Sequence, residues 1–192
     1  MTSLFPDNYT AYKVSKVVDF DTTLAPKMGV RDLFGNTVPN DTFCKIVHDG
    51  KKLYVLFKSW YSGTLEPTFH VHGNKVFRDD CVEIFIGNRE RYFELDVSAF
   101  NVLFEAVITN DGKSLNIDEQ KGLTKTTSRI YDGYYEVTYE IELDSLTQFG
   151  DLYFNLFRVE MVGGARTSRS MSKTDCLSHH ETRAFIPLKI EK

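Results

Sequence analysis

Residues 78–97, "RDDCVEIFIGNRERYFELDV", decide how this chain is read. Two short apolar runs flank the polar "GNRER", and each carries carboxylates: Glu83 in the first, Glu94 and Asp96 in the second. A one-residue slip of a hairpin sends one strand's side chains to the other face. With Ile86 opposite Phe93, the residues Val82, Ile84, Ile86, Phe93, Leu95 and Val97 share one face, a core. With Ile86 opposite Tyr92, Glu94 and Asp96 fall beside Val82 and Ile84, which costs several kcal/mol for any unpaired carboxylate, ~3–5 by analogy with broken buried pairs. The first register is therefore expected. It places Cys81, Glu83, Phe85, Tyr92, Glu94 and Asp96 on the opposite face, with Glu83 directly across from Asp96.

Like charges set across a sheet repel and need compensation. A neighbouring Arg or Lys, a bound cation or a hydrogen-bonding ligand would supply it. Rings interleaved with carboxylates suit a sugar, whose C–H face stacks on an aromatic ring while its hydroxyls donate to carboxylate oxygens. The competing reading is an outer, solvated sheet face held by ordinary ion pairs.

Working outward, "FCKIVHDGKKLYVLFKSW" (43–60) carries an Asp49-Gly50 hairpin signal, with Leu53, Val55 and Phe57 on one face and Tyr54 and Leu56 on the other. Apolar residues on both faces predict a central strand. "VLFEAVI" (102–108), "YYEVTYEIEL" (134–143), "LYFNLFRVEMV" (152–162) and "AFIPLKI" (184–190) read as further strands, the last with Pro187 at an edge or irregularity. "YKVSKVVDF" (12–20) is an expected strand, 61–77 a surface connection and 163–182 a long loop. "DSLTQFG" (144–150) predicts one helical turn capped by Asp144, and 113–133 shows no clear pattern. Fifteen Phe and ten Tyr beside one Trp favour strands. The fold expected is all-β, an antiparallel β-sandwich in one domain spanning 1–192.

A net charge of -4 without a basic block argues against nucleic acid. No run approaches the ~18 apolar residues that suggest a membrane span, and the amino terminus lacks a signal-peptide pattern, so the expected location is cytoplasmic, or extracellular for a chain that has lost its leader. Asn8 and Asn40 match the N-glycosylation pattern, which without a secretory context carries no weight. Cys44, Cys81 and Cys176 match no zinc spacing. Oxygen-rich turns at Asp19 and Asp21 and at Asp79 and Asp80 are candidate calcium ligands. His70 and His72 have the spacing of a two-ligand metal pair but no third partner, and His179 and His180 read as loop histidines. Trp60 reads either as a rim aromatic or as a plug at the sheet end.

Taken in order, "DGKKLYVLFKS", "DDCVEIFIGNRERYFELDVSAFNVLFEAVI", "YDGYYEVTYEIELDSL", "GDLYFNLFRVE" and "FIPLKI" resemble the family 9 carbohydrate-binding modules over roughly residues 15–192. The resemblance implies a jelly-roll-like β-sandwich that binds glucan or xylan-type oligosaccharide or polysaccharide without catalysing its cleavage, often carries structural calcium, and is usually attached to a glycoside hydrolase. It implies that Glu83 of Asp-x-Val-Glu lies on the sugar face, that Asn155 and Arg158 of Asn-x-x-Arg serve sugar hydroxyls or the carboxylates, and that Phe77 takes the place of a stacking tryptophan. The chain departs from the family in 163–176, which holds no aromatic for the second half of a clamp. Alternation alone puts Asn155 and Arg158 on opposite faces, so a shared role requires a bulge. The expected ligand face is Glu83, Phe85, Tyr92, Glu94 and Asp96, rimmed by Phe77 or Trp60. Two other readings stay open: an interaction domain on the same scaffold, and a glycosidase using Glu83 and Asp96.

Overall fold

The structure, a computed structural model, describes residues 4–17, 19–38, 41–73, 75–162 and 164–192, with the side chain of residue 162 left aside. Val18, part of the expected first strand, and the acceptor Asn40 lie outside the described residues.

Among the described residues, fourteen strands form one curled, mixed sheet. In chain order they are β1 (Tyr9–Lys13), β2 (Met28–Gly29), β3 (Arg31–Asp32), β4 (Thr42–His48), β5 (Lys52–Trp60), β6 (Cys81–Gly87), β7 (Arg91–Ser98), β8 (Leu103–Asn110), β9 (Leu115–Glu119), β10 (Thr124–Tyr131), β11 (Tyr134–Glu142), β12 (Leu152–Val162), β13 (Ala165–Ser170) and β14 (Ile186–Ile190). The main path runs β10-β11-β5-β4-β1-β14-β12-β6-β7-β8-β9. Alternation predicts antiparallel pairing throughout; the structure departs from it at β1, which pairs in parallel with β14 and then with β4. That strand joins the two halves.

One core lies between them. Val82, Ile84 and Ile86 of β6 and Phe93, Leu95 and Val97 of β7 meet Leu53, Val55 and Phe57 of β5 and Val137 and Ile141 of β11. Tyr139 crosses this core and donates its hydroxyl to the Val82 carbonyl at 2.6 Å. The expected hairpin register holds: Ile86 faces Phe93 and Glu83 faces Asp96. As predicted, β5 is central, flanked by β4 and β11, and Leu56 on its other face packs with Phe20 and Val47.

Several local expectations change. The first strand is shorter than 12–20 and begins earlier, at Tyr9. The unpatterned 113–133 holds β9 and β10: β9 is exposed throughout and β10 mostly so, which leaves no alternation to detect. β13 lies within the expected loop 163–182. The helical turn is α1 (Leu143–Leu146), which includes Asp144 and has no side-chain cap. Pro187 is not on an edge strand, since β14 lies between β1 and β12; it is tolerated because β1 pairs only from Leu188 onward. Among the described residues, no helix is long and apolar enough to cross a membrane.

Candidate functional site

The face opposite the core is not solvated. Cys81, Phe85, Tyr92, Phe157 and Val159 form a second apolar layer with Phe104, Ala106, Ile108 and Phe185. Each fully buried ring there contributes about 1.5–3 kcal/mol, which offsets the cost of sinking carboxylates among them. Glu83 is 1% exposed, Asp96 0% and Glu94 6%. This overturns the reading of an outer face held by exposed ion pairs.

The cover comes from the segment between β13 and β14, and it carries histidines. His179 is buried, stacks on Phe157 with ring centroids 4.4 Å apart, and places Nδ1 2.7 Å from Glu83 Oε2. The Cys81 thiol donates to Glu83 Oε1 at 3.6 Å. His180 places Nδ1 2.9 Å from the Tyr92 hydroxyl, and its ring lies 5.2 Å from that of Phe85. Burial lowers the His180 pKa to about 4, and burial raises that of Tyr92. At neutral pH the hydroxyl therefore donates to Nδ1 and the ring proton sits on Nε2. That Nε2 lies 3.9 Å from Glu94 Oε2, too far for a hydrogen bond. Both histidines read as loop residues from the sequence; only a contact spanning 96 positions reveals the first as Glu83's partner.

Three acids on one buried face cannot all ionise cheaply. Burial first, then the charge of Glu83, pushes the Glu94 pKa up to about 8. Burial, Glu83 and Glu94 push Asp96 well above the usual carboxylate range, with Arg166 opposing. Neither Asp96 oxygen has a hydrogen-bond partner, and Glu94 Oε2 and His179 Nε2 are also buried without one.

Above this floor an open pocket of about 250 Å³ is lined by Phe77, Glu83, Phe85, Glu94, His179 and His180, with Arg166, Leu177 and Ser178 around them. The Phe77 ring is braced edge-on by Phe104 at 6.2 Å. Arg166 Nε donates to the Phe77 carbonyl at 3.1 Å, and among the described residues its guanidinium makes no ion pair. Of the residues expected to touch a ligand, Phe77, Glu83, Phe85 and Glu94 thus converge, with Tyr92 and Asp96 sealed beneath.

The other three are elsewhere. Arg158 does not compensate Glu83 and Asp96: it stands opposite Val82 on the core side of β12, fully buried, and pairs with Asp80 at 2.9 Å. It also donates to the Cys81 and Val159 carbonyls and lies over the Tyr135 ring. Alternation along β12 is unbroken, so Asn155 is on the opposite face, where its amide is spent on the Ser172 backbone: Nδ2 donates to its carbonyl and Oδ1 accepts from its amide. Trp60 is on the outer face of the other half, between Phe43 and Tyr134.

The calcium candidates do not fit that ion. Asp19 Oδ1 accepts from the Thr22 amide and hydroxyl, and Asp21 pairs with the Lys58 ammonium at 2.7 Å. The Lys45 ammonium takes the Phe20 and Thr23 carbonyls of the same loop. Asp79 Oδ2 accepts from the Thr68 and Phe69 amides, and Asp80 is held by Arg158. Each of these carboxylates is thus engaged by a protein cation, hydroxyl or amide, and no His, Cys, Asp and Glu cluster among the described residues has a metal-binding arrangement. His72 Nδ1 accepts from the Leu103 amide, which leaves His70 without a paired ligand.

No family model matches the chain. No curated protein matches it. Among solved structures, a candidate carbohydrate-binding protein from Bacteroides uniformis aligns over 96% of this chain and 99% of its own, at 14% identity and a TM-score of 0.74. A family 9 carbohydrate-binding module from Caldicellulosiruptor kristjanssonii in complex with glucose aligns over 96% of this chain and 95% of its own, at 15% identity and a TM-score of 0.65. The cellotriose complex of such a module gives 16% identity, 96% and 93% coverage, and a TM-score of 0.65. At these identities the likeness establishes a shared fold.

Proposed function

We propose that this protein is a non-catalytic carbohydrate-binding module that takes a glucan or xylan-type sugar into the pocket over Glu83 and Glu94. The observation that carries the reading is the set of unmet polar groups there: Glu94 Oε2 and His179 Nε2 are buried, partnerless and gathered around one open pocket beside the Phe77 ring. Buried polar groups are normally hydrogen-bonded, and a sugar ring supplies hydroxyls that donate and accept together with a C–H face for the aromatic ring. With its pKa near 8, Glu94 acts as a donor at neutral pH, while Glu83 already accepts from its neighbours. The fold neighbours solved with glucose and cellotriose support the same class of ligand.

Binding without hydrolysis is supported by the position of Asp96. A glycosidase pair flanks the scissile bond from two accessible carboxyls, whereas Asp96 is 0% exposed beneath its neighbours. Cleavage is then the work of a separate glycoside hydrolase.

Calorimetry of the full chain against glucose, xylose and their β-1,4-linked oligomers tests the reading. Binding to at least one, weakened about tenfold by Phe77→Ala, is expected. Binding to none of them returns the scaffold to an interaction domain, and release of reducing sugar, lost in Glu83→Gln, overturns the non-catalytic assignment.

A further inference from the structure

The Glu83–Glu94 pocket does not end at Arg166. A second cleft of about 430 Å³ adjoins it, and Arg166 and Leu177 line both. Thr167 and Ser168 of β13 and Phe34 also line it. Ligand pockets usually enclose roughly 300–1,000 Å³. The first pocket alone falls short of that range, and the two joined fall inside it.

Phe34 is 54% exposed and Leu177 is 80% exposed. Single exposed apolar side chains are ordinary; these two line one cleft, together with Thr167 and Ser168, that shares Arg166 and Leu177 with the first pocket. Phe34 is also held in place. Asp32 pairs with Arg169 across β3 and β13, and its carboxylate accepts from the Phe34 amide at 2.9 Å and the Asn36 amide at 2.7 Å. Gly35 closes the turn at φ 95°, a conformation that glycine adopts without strain. The Leu33 carbonyl accepts from the Thr174 and Asp175 amides, both at 3.0 Å, so the turn is tied to the segment that brings Leu177 and His179 over the first pocket. A fixed, exposed ring costs little conformational entropy on binding.

We propose that the ligand is an oligosaccharide of at least two sugar rings: one ring sits over Glu94, the next lies in the cleft against Phe34 and Leu177, and Arg166 donates to both. This rests on the sugar-binding reading above and extends it with a second subsite on β3 and β13.

The test compares glucose with cellotriose and xylose with xylotriose by calorimetry on the full chain, for the parent, Phe34→Ala and Thr167→Trp, the last filling the cleft from β13. The trisaccharide of the preferred series is expected to bind at least tenfold tighter than its monosaccharide. Both variants are expected to lower trisaccharide affinity about fivefold or more while leaving monosaccharide affinity unchanged. Equal affinity for monosaccharide and trisaccharide, or trisaccharide affinity unaffected in both variants, overturns the second subsite and leaves the first intact. No binding in either series overturns the sugar-binding reading, and the subsite with it.

Discussion

Replacing Glu94 by Gln removes one titrating group from the buried acid layer and keeps its shape, so its effect on stability can be worked out from the pKa values. The Glu94 pKa rises from 4.5 to about 8 on folding. Between those values the folded chain holds a proton that the unfolded chain has released, so stability falls as pH rises, by ~1.4 kcal/mol per pH unit. His180 acts with the opposite sign. Its pKa falls from 6.5 to about 4, so the unfolded chain binds the extra proton in that interval and stability rises with pH. From pH 4.5 to 6.5 the two slopes offset each other, and from 6.5 to 8 Glu94 acts without that opposition. The parent should lose about 2 kcal/mol over this upper interval, with Asp96 adding in the same direction in both proteins but less in the variant, where Glu94 no longer helps to raise its pKa. Urea unfolding at half-unit pH steps should show the Glu94→Gln profile about 2 kcal/mol flatter above pH 6.5, with an unchanged dependence on urea. Parallel declines in parent and variant would show that Glu94 is not desolvated as the site requires. In calorimetry at pH 7, Glu94→Gln should keep sugar affinity, since an amide also donates, whereas Glu94→Ala should lose it.

Three further outcomes follow from the packing. Asp80→Ala leaves the buried Arg158 guanidinium without its carboxylate and should cost about 3–5 kcal/mol in urea unfolding; adding Arg158→Met should recover much of that loss, and no recovery would place the cost outside the pair. Trp60→Ala should lower the melting temperature but leave sugar affinity unchanged, because the ring stands on the outer face of the other half of the sheet; a loss of affinity in calorimetry would move the ligand there. At Gly87 an added Cβ would meet the Tyr92 Cα at 2.5 Å and the Arg91 carbonyl oxygen at 2.6 Å, so Gly87→Ala should destabilise the hairpin by about 1–3 kcal/mol, seen as a lower urea midpoint.

The hairpin register and the identity of the core face were legible in residues 78–97, because only that register gathers Val82, Ile84, Ile86, Phe93, Leu95 and Val97 on one face. Alternation also placed Arg158 on the face opposite Asn155, and the structure follows it, with Arg158 on the core side. The shared acid-facing role carried over for Asn155 and Arg158 ran against that local rule and failed. β9 escaped notice because it has no buried face, and β10 because most of it is exposed; hydrophobic pattern marks a strand only where one side is dry.

What the face opposite the core is for could not be read locally. The sequence showed that six residues share it, but their burial depends on Phe185, His179 and His180 arriving from a segment about ninety positions later. That segment has no periodicity of its own, and backbone bonds from the Thr174 and Asp175 amides to the Leu33 carbonyl, with the Ser172 amide donating to the Asn155 side-chain Oδ1, help hold it in place. Side-chain alternation is fixed by the backbone of one strand, whereas the desolvation that raises the Glu94 pKa and leaves its oxygen partnerless is a property of everything packed around it. The sequence by itself determined which carboxylates point away from the core; the tertiary structure alone decided that they are buried, protonated in part and gathered under a pocket.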